Sequence, residues 1–122
     1  MCDRKEAGLS VSFTIEPRTN LIWAAVDFDG TLAEHVWPDP GIGEPIQDNI
    51  DKLVELVQNG YKIIIHTSRG WEGYELIEAW LNHYSVPFDR IVCGKLLAKV
   101  YIDDRAIPAD AESWMPGEKV PA

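Results

Sequence analysis

Asp27 and Asp29, one residue apart, close an apolar run and stand directly before Gly30-Thr31-Leu32 in the stretch AAVDFDGTLAEH. Like charges at that spacing repel, so the pair calls for a cation or a reaction to perform. Three further polar sets follow apolar runs: Thr67-Ser68-Arg69 after YKIIIH, Gly94-Lys95 after RIVC, and Asp103-Asp104-Arg105 after VYI. Together these types offer an anionic nucleophile, a second carboxyl to move a proton, a hydroxyl and an ammonium for an anion, and hard oxygens for a cation. Each also has a plain structural reading. Asp-x-Asp-Gly is often an Asx turn, Thr67 a cap, Lys95 a solvated side chain, and Asp103-Asp104 a surface ion-pair cluster with Arg105. Their joint occurrence after four successive apolar runs favours a single phosphate-and-metal site.

The elements that must position these residues follow from periodicity. Leu21–Val26, Tyr61–His66, Arg90–Cys93 and Val100–Ile102 are continuous apolar runs, as strands buried on both faces require. Between them, Ile46, Ile50, Leu53, Val54 and Val57 share one helical face, with Pro45 as first helical residue and Gly60 as stop. Leu76, Ile77, Trp80, Leu81 and Tyr84 form a second stripe that ends before Pro87. Strand–helix alternation predicts a three-layer α/β fold around a central parallel sheet. In such sheets ligands bind beyond the carboxyl ends of the strands, which is where all four polar sets fall. Ser10–Ile15 alternates and predicts an additional strand. Ala33–Gly43 is rich in Pro and Gly and predicts a loop or short hairpin, and the chain from Ser113 onward reads as a flexible tail.

Composition narrows the function classes. A chain of 122 residues with 46% hydrophobic and 25% charged residues is one globular domain rather than a disordered segment. Net charge is −9, which disfavours general nucleic-acid binding but admits a small anionic substrate beside a local cation. No apolar stretch reaches membrane-spanning length, and the polar start MCDRKEAG lacks a secretory apolar core, so the cytoplasm is the expected compartment. Cys2 and Cys93, without a C-x-x-C spacing, predict neither a disulfide nor a zinc site.

The stretches VDFDGTL at 26–32, IIIHTSR at 63–69, Gly94-Lys95 and YIDDRA at 101–106 resemble the four motifs of the haloacid dehalogenase (HAD) superfamily, in particular its small phage and bacterial hydrolases. The likeness runs from about Leu21 to Ile107. It implies a Rossmann-like domain spanning 1–122 and a Mg²⁺-dependent phosphatase working through an aspartyl-phosphate. By that resemblance Asp27 is the nucleophile and Asp29 the acid–base residue, with Thr67 and Lys95 completing the catalytic set. The ion is held by Asp27, the backbone carbonyl of Asp29, and Asp104, with Asp103 orienting the shell or binding through water. Gly30, Thr67, Ser68, Arg69, Lys95 and Arg105 face phosphate or substrate. Relatives often read Gly-Lys-Pro where this chain has Gly94-Lys95-Leu96. One helix takes nearly half of the segment between Leu32 and Ile63, and a helix with its following strand takes most of that between Arg69 and Lys95, so no separate cap domain is expected.

Arg69 and Arg105 can equally bind a second anionic group of the substrate or pair with the acidic cluster. His66 in an apolar strand is first a packed histidine, and Trp37, Trp71 and Trp114 are core or interface residues before they are an entrance. The substrate expected is a small phosphorylated metabolite, with a nucleotide or nucleic-acid-end phosphatase as alternative. A catalytically silent binding protein of the same fold is a further one. A phospho-acceptor receiver domain shares the residue types, but there the acidic pair comes first and Thr then Lys come last. An uncapped site with loop tryptophans also predicts a homo-oligomer.

Overall fold

The computed structural model describes residues 22–36 and 41–116. The strand expected at 10–15, Leu21, Trp37 and the end of the tail lie outside that range. Three of the four expected strands form: β1 (Trp23–Val26), β2 (Lys62–His66) and β3 (Arg90–Val92). They lie side by side in that order, all parallel. The register pairs Ala24 with Ile63, Val26 with Ile65, and Ile65 with Ile91. This face of the sheet is the core, where Ile63, Ile65 and Ile91 are fully buried.

Two helices cover that face, α1 (Gln47–Gln58) and α2 (Tyr74–His83), the second preceded by a single 3-10 turn at Trp71–Gly73. Right-handed β–α–β units that advance across a sheet in one direction place successive helices on the same side. Accordingly Ile50, Leu53 and Leu56 of α1 and Ile77, Trp80 and Leu81 of α2 join one apolar cluster with Val26, Phe28 and the strand isoleucines. The opposite face carries Trp23, Ala25, Lys62, Ile64, His66, Arg90 and Val92, all partly or largely exposed. There the Trp23 ring receives Lys62 Nζ and Arg90 Cζ, each 5.6 Å from its centroid. The described residues thus form an open, Rossmann-like parallel sheet with one helical layer. The second layer of the expected three-layer arrangement is not among them.

Both helices end in the same way. After α1, Gly60 at φ +94° donates its N–H to the Val57 carbonyl at 3.0 Å, and Tyr61 donates to Leu56 at 3.1 Å. After α2, Ser85 takes the left-handed position at φ +57°, donating to Asn82 at 3.2 Å while Val86 donates to Leu81 at 2.9 Å. These are Schellman closures, and Val86 is buried beyond the second one. The expected start of α1 needs correction. Pro45 precedes the helix and bridges Ala33 in antiparallel fashion, and Ile46 is the N-cap. In α2 the inward stripe is narrower than its spacing suggested, since Leu76 is 51% and Tyr84 37% exposed.

Two further expectations are corrected. Among the described residues Val100–Ile102 is not a strand: it pairs with no described neighbour, and Ile102 is 97% exposed. The Tyr101 hydroxyl instead donates to the Leu96 carbonyl and accepts the Ala98 N–H at 3.2 Å, closing the segment on itself. The region from Ser113 is not wholly a loose tail either, because Trp114 is core, with its Nε1 donating to Ala109 at 3.0 Å. Lys52 of α1 stands 5.9 Å from that ring's centroid. Among the described residues no helix is long and apolar enough to cross a membrane.

Candidate active site

The turn after β1 is built around Phe28. Its fully buried ring meets Trp80 edge-on at 5.1 Å, an anchor that leaves the carboxylates on either side outside the core. Its carbonyl accepts the N–H groups of Thr31, Leu32 and Ala33 at 3.1, 2.8 and 3.1 Å, which winds the chain into a tight turn. Gly30 sits in this turn at φ +84°, and a Cβ there would meet His35 Cδ2 at 2.9 Å. The positive φ demands glycine, whereas the exposed His35 ring can swing aside. The Gly30 amide, expected at the phosphate, donates within the turn to Ala33 at 2.7 Å. Thr31 Oγ1 donates to Asp27 Oδ2 at 3.5 Å.

The loop after β2 is stitched to the loop after β3. Thr67 donates its N–H to Val92, and its carbonyl accepts the Lys95 N–H at 2.8 Å, while Gly94, at φ +86°, donates to the Arg69 carbonyl at 2.9 Å. These bonds extend the β2–β3 ladder past the strand ends and bring Thr67, Arg69 and Lys95 beside the acidic pair. Lys95 Nζ lies 3.7 Å from Asp27 Oδ1. Thr67 is 1% exposed, and its Oγ1 accepts the Arg69 N–H at 3.1 Å. Ser68 is exposed between them. The Arg69 guanidinium grips Asp29 with both ends, Nε to Oδ2 at 2.7 Å and Nη2 to Oδ1 at 2.8 Å. Of the two roles open to Arg69, the structure displays the ion pair. That hydrogen bond raises the pKa of Arg69 further above its already high ordinary value.

Asp27, Asp29, Thr67, Arg69 and Lys95 are therefore gathered, whereas Asp103, Asp104 and Arg105 are not. All three are exposed in the segment after Tyr101, where Asp103 Oδ1 accepts the Arg105 N–H at 2.8 Å in a local turn. Among the described residues no group of three or more acidic, histidine or cysteine side chains is placed to hold a metal ion. Of the expected ion ligands, Asp27 faces Lys95 and Asp29 faces Arg69. His66, at the end of β2, has its pKa lowered, first by burial and then by the Lys95 charge, with Asp27 partly opposing. Trp71 is exposed and stacks on Tyr74 at 6.0 Å.

Three supporting residues escaped the sequence reading. Asn49 of α1 is buried and donates to the Thr31 carbonyl at 2.8 Å, fixing the acidic turn to the helix start. A buried asparagine at an otherwise polar helix start leaves no periodic signal. His35 covers Gly30, its ring lying where a side chain at that position would begin. Gly41, read as a loop residue, offers its carbonyl to Arg69 Nη2 at 2.9 Å.

No family model and no curated protein matches this chain. Solved structures do. A crystal structure of a target protein from Vibrio cholerae is 32% identical over 80% of this chain and 92% of that one, with a TM-score of 0.66. A conserved protein from Bacteroides thetaiotaomicron is 30% identical over 70% of this chain and 77% of its own, with a TM-score of 0.50. A chain of the Pnkp1/Rnl/Hen1 complex is 25% identical over 71% of this chain but only 32% of its own, with a TM-score of 0.54.

Proposed function

We propose, from the premise that this chain belongs to the same family as the Vibrio cholerae protein, that it is a HAD-type phosphohydrolase acting on a phosphomonoester through an aspartyl-phosphate. The observation that carries this reading is the meeting of Asp27 with Lys95 at 3.7 Å, beside Asp29 and Thr67, at the carboxyl edge of a parallel sheet. Asp27 attacks phosphorus as the bond to the leaving oxygen breaks, and Asp29, protonated on a lone pair that Arg69 leaves open, gives that oxygen its proton. Water then attacks the acyl phosphate, Asp29 takes the proton back, and inorganic phosphate leaves with Asp27 restored. Lys95 neutralises charge building on the transferring group. Thr67, whose oxygen already accepts the Arg69 amide, has its O–H left to donate to a phosphoryl oxygen.

The Mg²⁺ requirement belongs to this proposal and rests on the motif resemblance. A bound ion would neutralise phosphate charge in front of an anionic nucleophile. Asp27, the Asp29 carbonyl and Asp104, with Asp103 beside it, are hard oxygen donors suited to it. Only Asp27 and Asp29 are gathered, so every step above is assigned to the chain's own residues. A three-layer HAD arrangement without a cap and a homo-oligomer complete the reading. The substrate proposed is a small phosphorylated metabolite. A phosphorylated nucleic-acid end is the second reading, supported by the expected lack of a cap and the likeness to a chain of the Pnkp1/Rnl/Hen1 complex, and opposed by the net charge of −9. Phosphate release from a panel of phosphomonoesters with Mg²⁺, including a 3′-phosphorylated oligonucleotide, separates the two. No release from any of them favours the silent binding protein.

A further inference from the structure

Arg69 is mounted more rigidly than a surface arginine. Its N–H is held by Thr67 Oγ1 and its carbonyl by the Gly94 N–H, so its backbone is fixed by the β2–β3 stitching. Its side chain reaches a residue 40 positions earlier with two charge-assisted bonds, and partner exposures of 22% and 21% shield the pair from solvent. The same Nη2 also donates to Gly41, in the stretch that leads to α1. That stretch is itself pinned, by Trp80 Nε1 to the Gly43 carbonyl at 3.0 Å and by Glu34 N–H to the Glu44 carbonyl at 2.8 Å. The Nε–Nη2 edge of the guanidinium, one of its two edges able to take a phosphate in bidentate fashion, is occupied by Asp29.

We propose that Arg69 is a positioning residue: its guanidinium holds the Asp29 carboxylate in one orientation and ties it to the backbone at Gly41. The inference rests on the phosphohydrolase reading for its catalytic consequence, since it makes Arg69 act on turnover through Asp29 rather than through the substrate. Two points support this division. A two-bond grip fixes the carboxylate plane as well as its distance, which a single lysine ammonium cannot do. Proton transfer also depends steeply on placement, a displacement of about 1 Å costing on the order of 100-fold.

The test compares wild type, Arg69→Ala, Arg69→Lys, Asp29→Asn and the Arg69→Ala/Asp29→Asn pair with an alkyl and an aryl phosphomonoester. Arg69→Ala should lower kcat on the alkyl ester about 100-fold and on the aryl ester much less, with KM within about threefold of wild type. Arg69→Lys should resemble Arg69→Ala, added guanidinium ion should restore part of the Arg69→Ala rate, and Arg69→Ala should cost little more once Asp29 is Asn. A raised KM with unchanged kcat, or the full loss persisting in the Asp29→Asn background, would mean that Arg69 binds substrate and would overturn the inference. Two readouts need no activity. The melting temperatures of the four alanine and asparagine combinations should be non-additive, and hydrogen exchange at Ile42 should quicken in Arg69→Ala. Absence of turnover in wild type defeats the functional reading alone, while additive melting shifts with unchanged exchange defeat the clasp.

Discussion

His66 ends β2 with Lys95 and Asp27 for charged neighbours, and its depressed pKa carries a signed consequence for stability. The unfolded chain takes up a proton near the ordinary value of 6.5, whereas the folded protein resists it. The stability His66 contributes is therefore fully present above 6.5 and lost as pH falls through its lower folded pKa. Denaturant unfolding between about pH 7.5 and pH 5 should show a fall in stability that His66→Gln reduces, and an equal fall in both proteins would contradict this assignment. Asp29 and Asp104 separate by a different measurement. Asp29→Asn should slow turnover strongly with little change in Mg²⁺ requirement, and less so with a phenolate leaving group. Asp104→Asn should raise the Mg²⁺ requirement and recover with added ion. Rescue of Asp29→Asn but not of Asp104→Asn by Mg²⁺ would reverse the two roles. At this scale the gathering of Asp27, Asp29, Thr67 and Lys95 was legible because all four lie within three residues of the end of an apolar run. The partner of Arg69 was not, because the bond spans 40 positions and depends on how two loops meet.

The elements were legible where burial enforces a period. β1, β2 and β3 and the two helices match the apolar runs to within a few residues, because fully buried strand faces and amphipathic stripes leave unambiguous patterns. Ends and short runs were harder to read. Gly60 was readable as a stop by type, whereas Ser85 performs the same closure with a residue that does not advertise it. VYI at 100–102 has strand composition and ends exposed, since composition carries no information about whether a neighbouring strand is available. Ser85 gives the element-scale prediction. A side chain in the left-handed region is strained and glycine is not, so Ser85→Gly should stabilise the protein by roughly 0.5–1 kcal/mol. An unchanged or lower melting temperature would show that the closure after α2 carries no such strain.

For the whole molecule, the sheet has one face covered by helices and one half-exposed among the described residues, whereas parallel sheets are ordinarily covered on both. Leu96, Leu97 and Ile102 add apolar surface, at 75%, 82% and 97% exposure. Surface of this kind marks association, and self-association is the form expected here. Light scattering at working concentration should report a dimer or larger species that Ile102→Glu weakens, while a strict monomer would count against it. Asp27 as nucleophile is the step on which the proposed chemistry depends. Asp27→Asn is nearly isosteric, removes the attacking anion and leaves the core around Phe28 untouched, so it isolates the chemistry from the fold. The deciding measurement is phosphate release from a phosphomonoester panel by wild type and by Asp27→Asn at matched Mg²⁺, each shown folded by circular dichroism. The account predicts release by wild type and none above background by the variant; a variant that retains a substantial fraction of the wild-type kcat would contradict it.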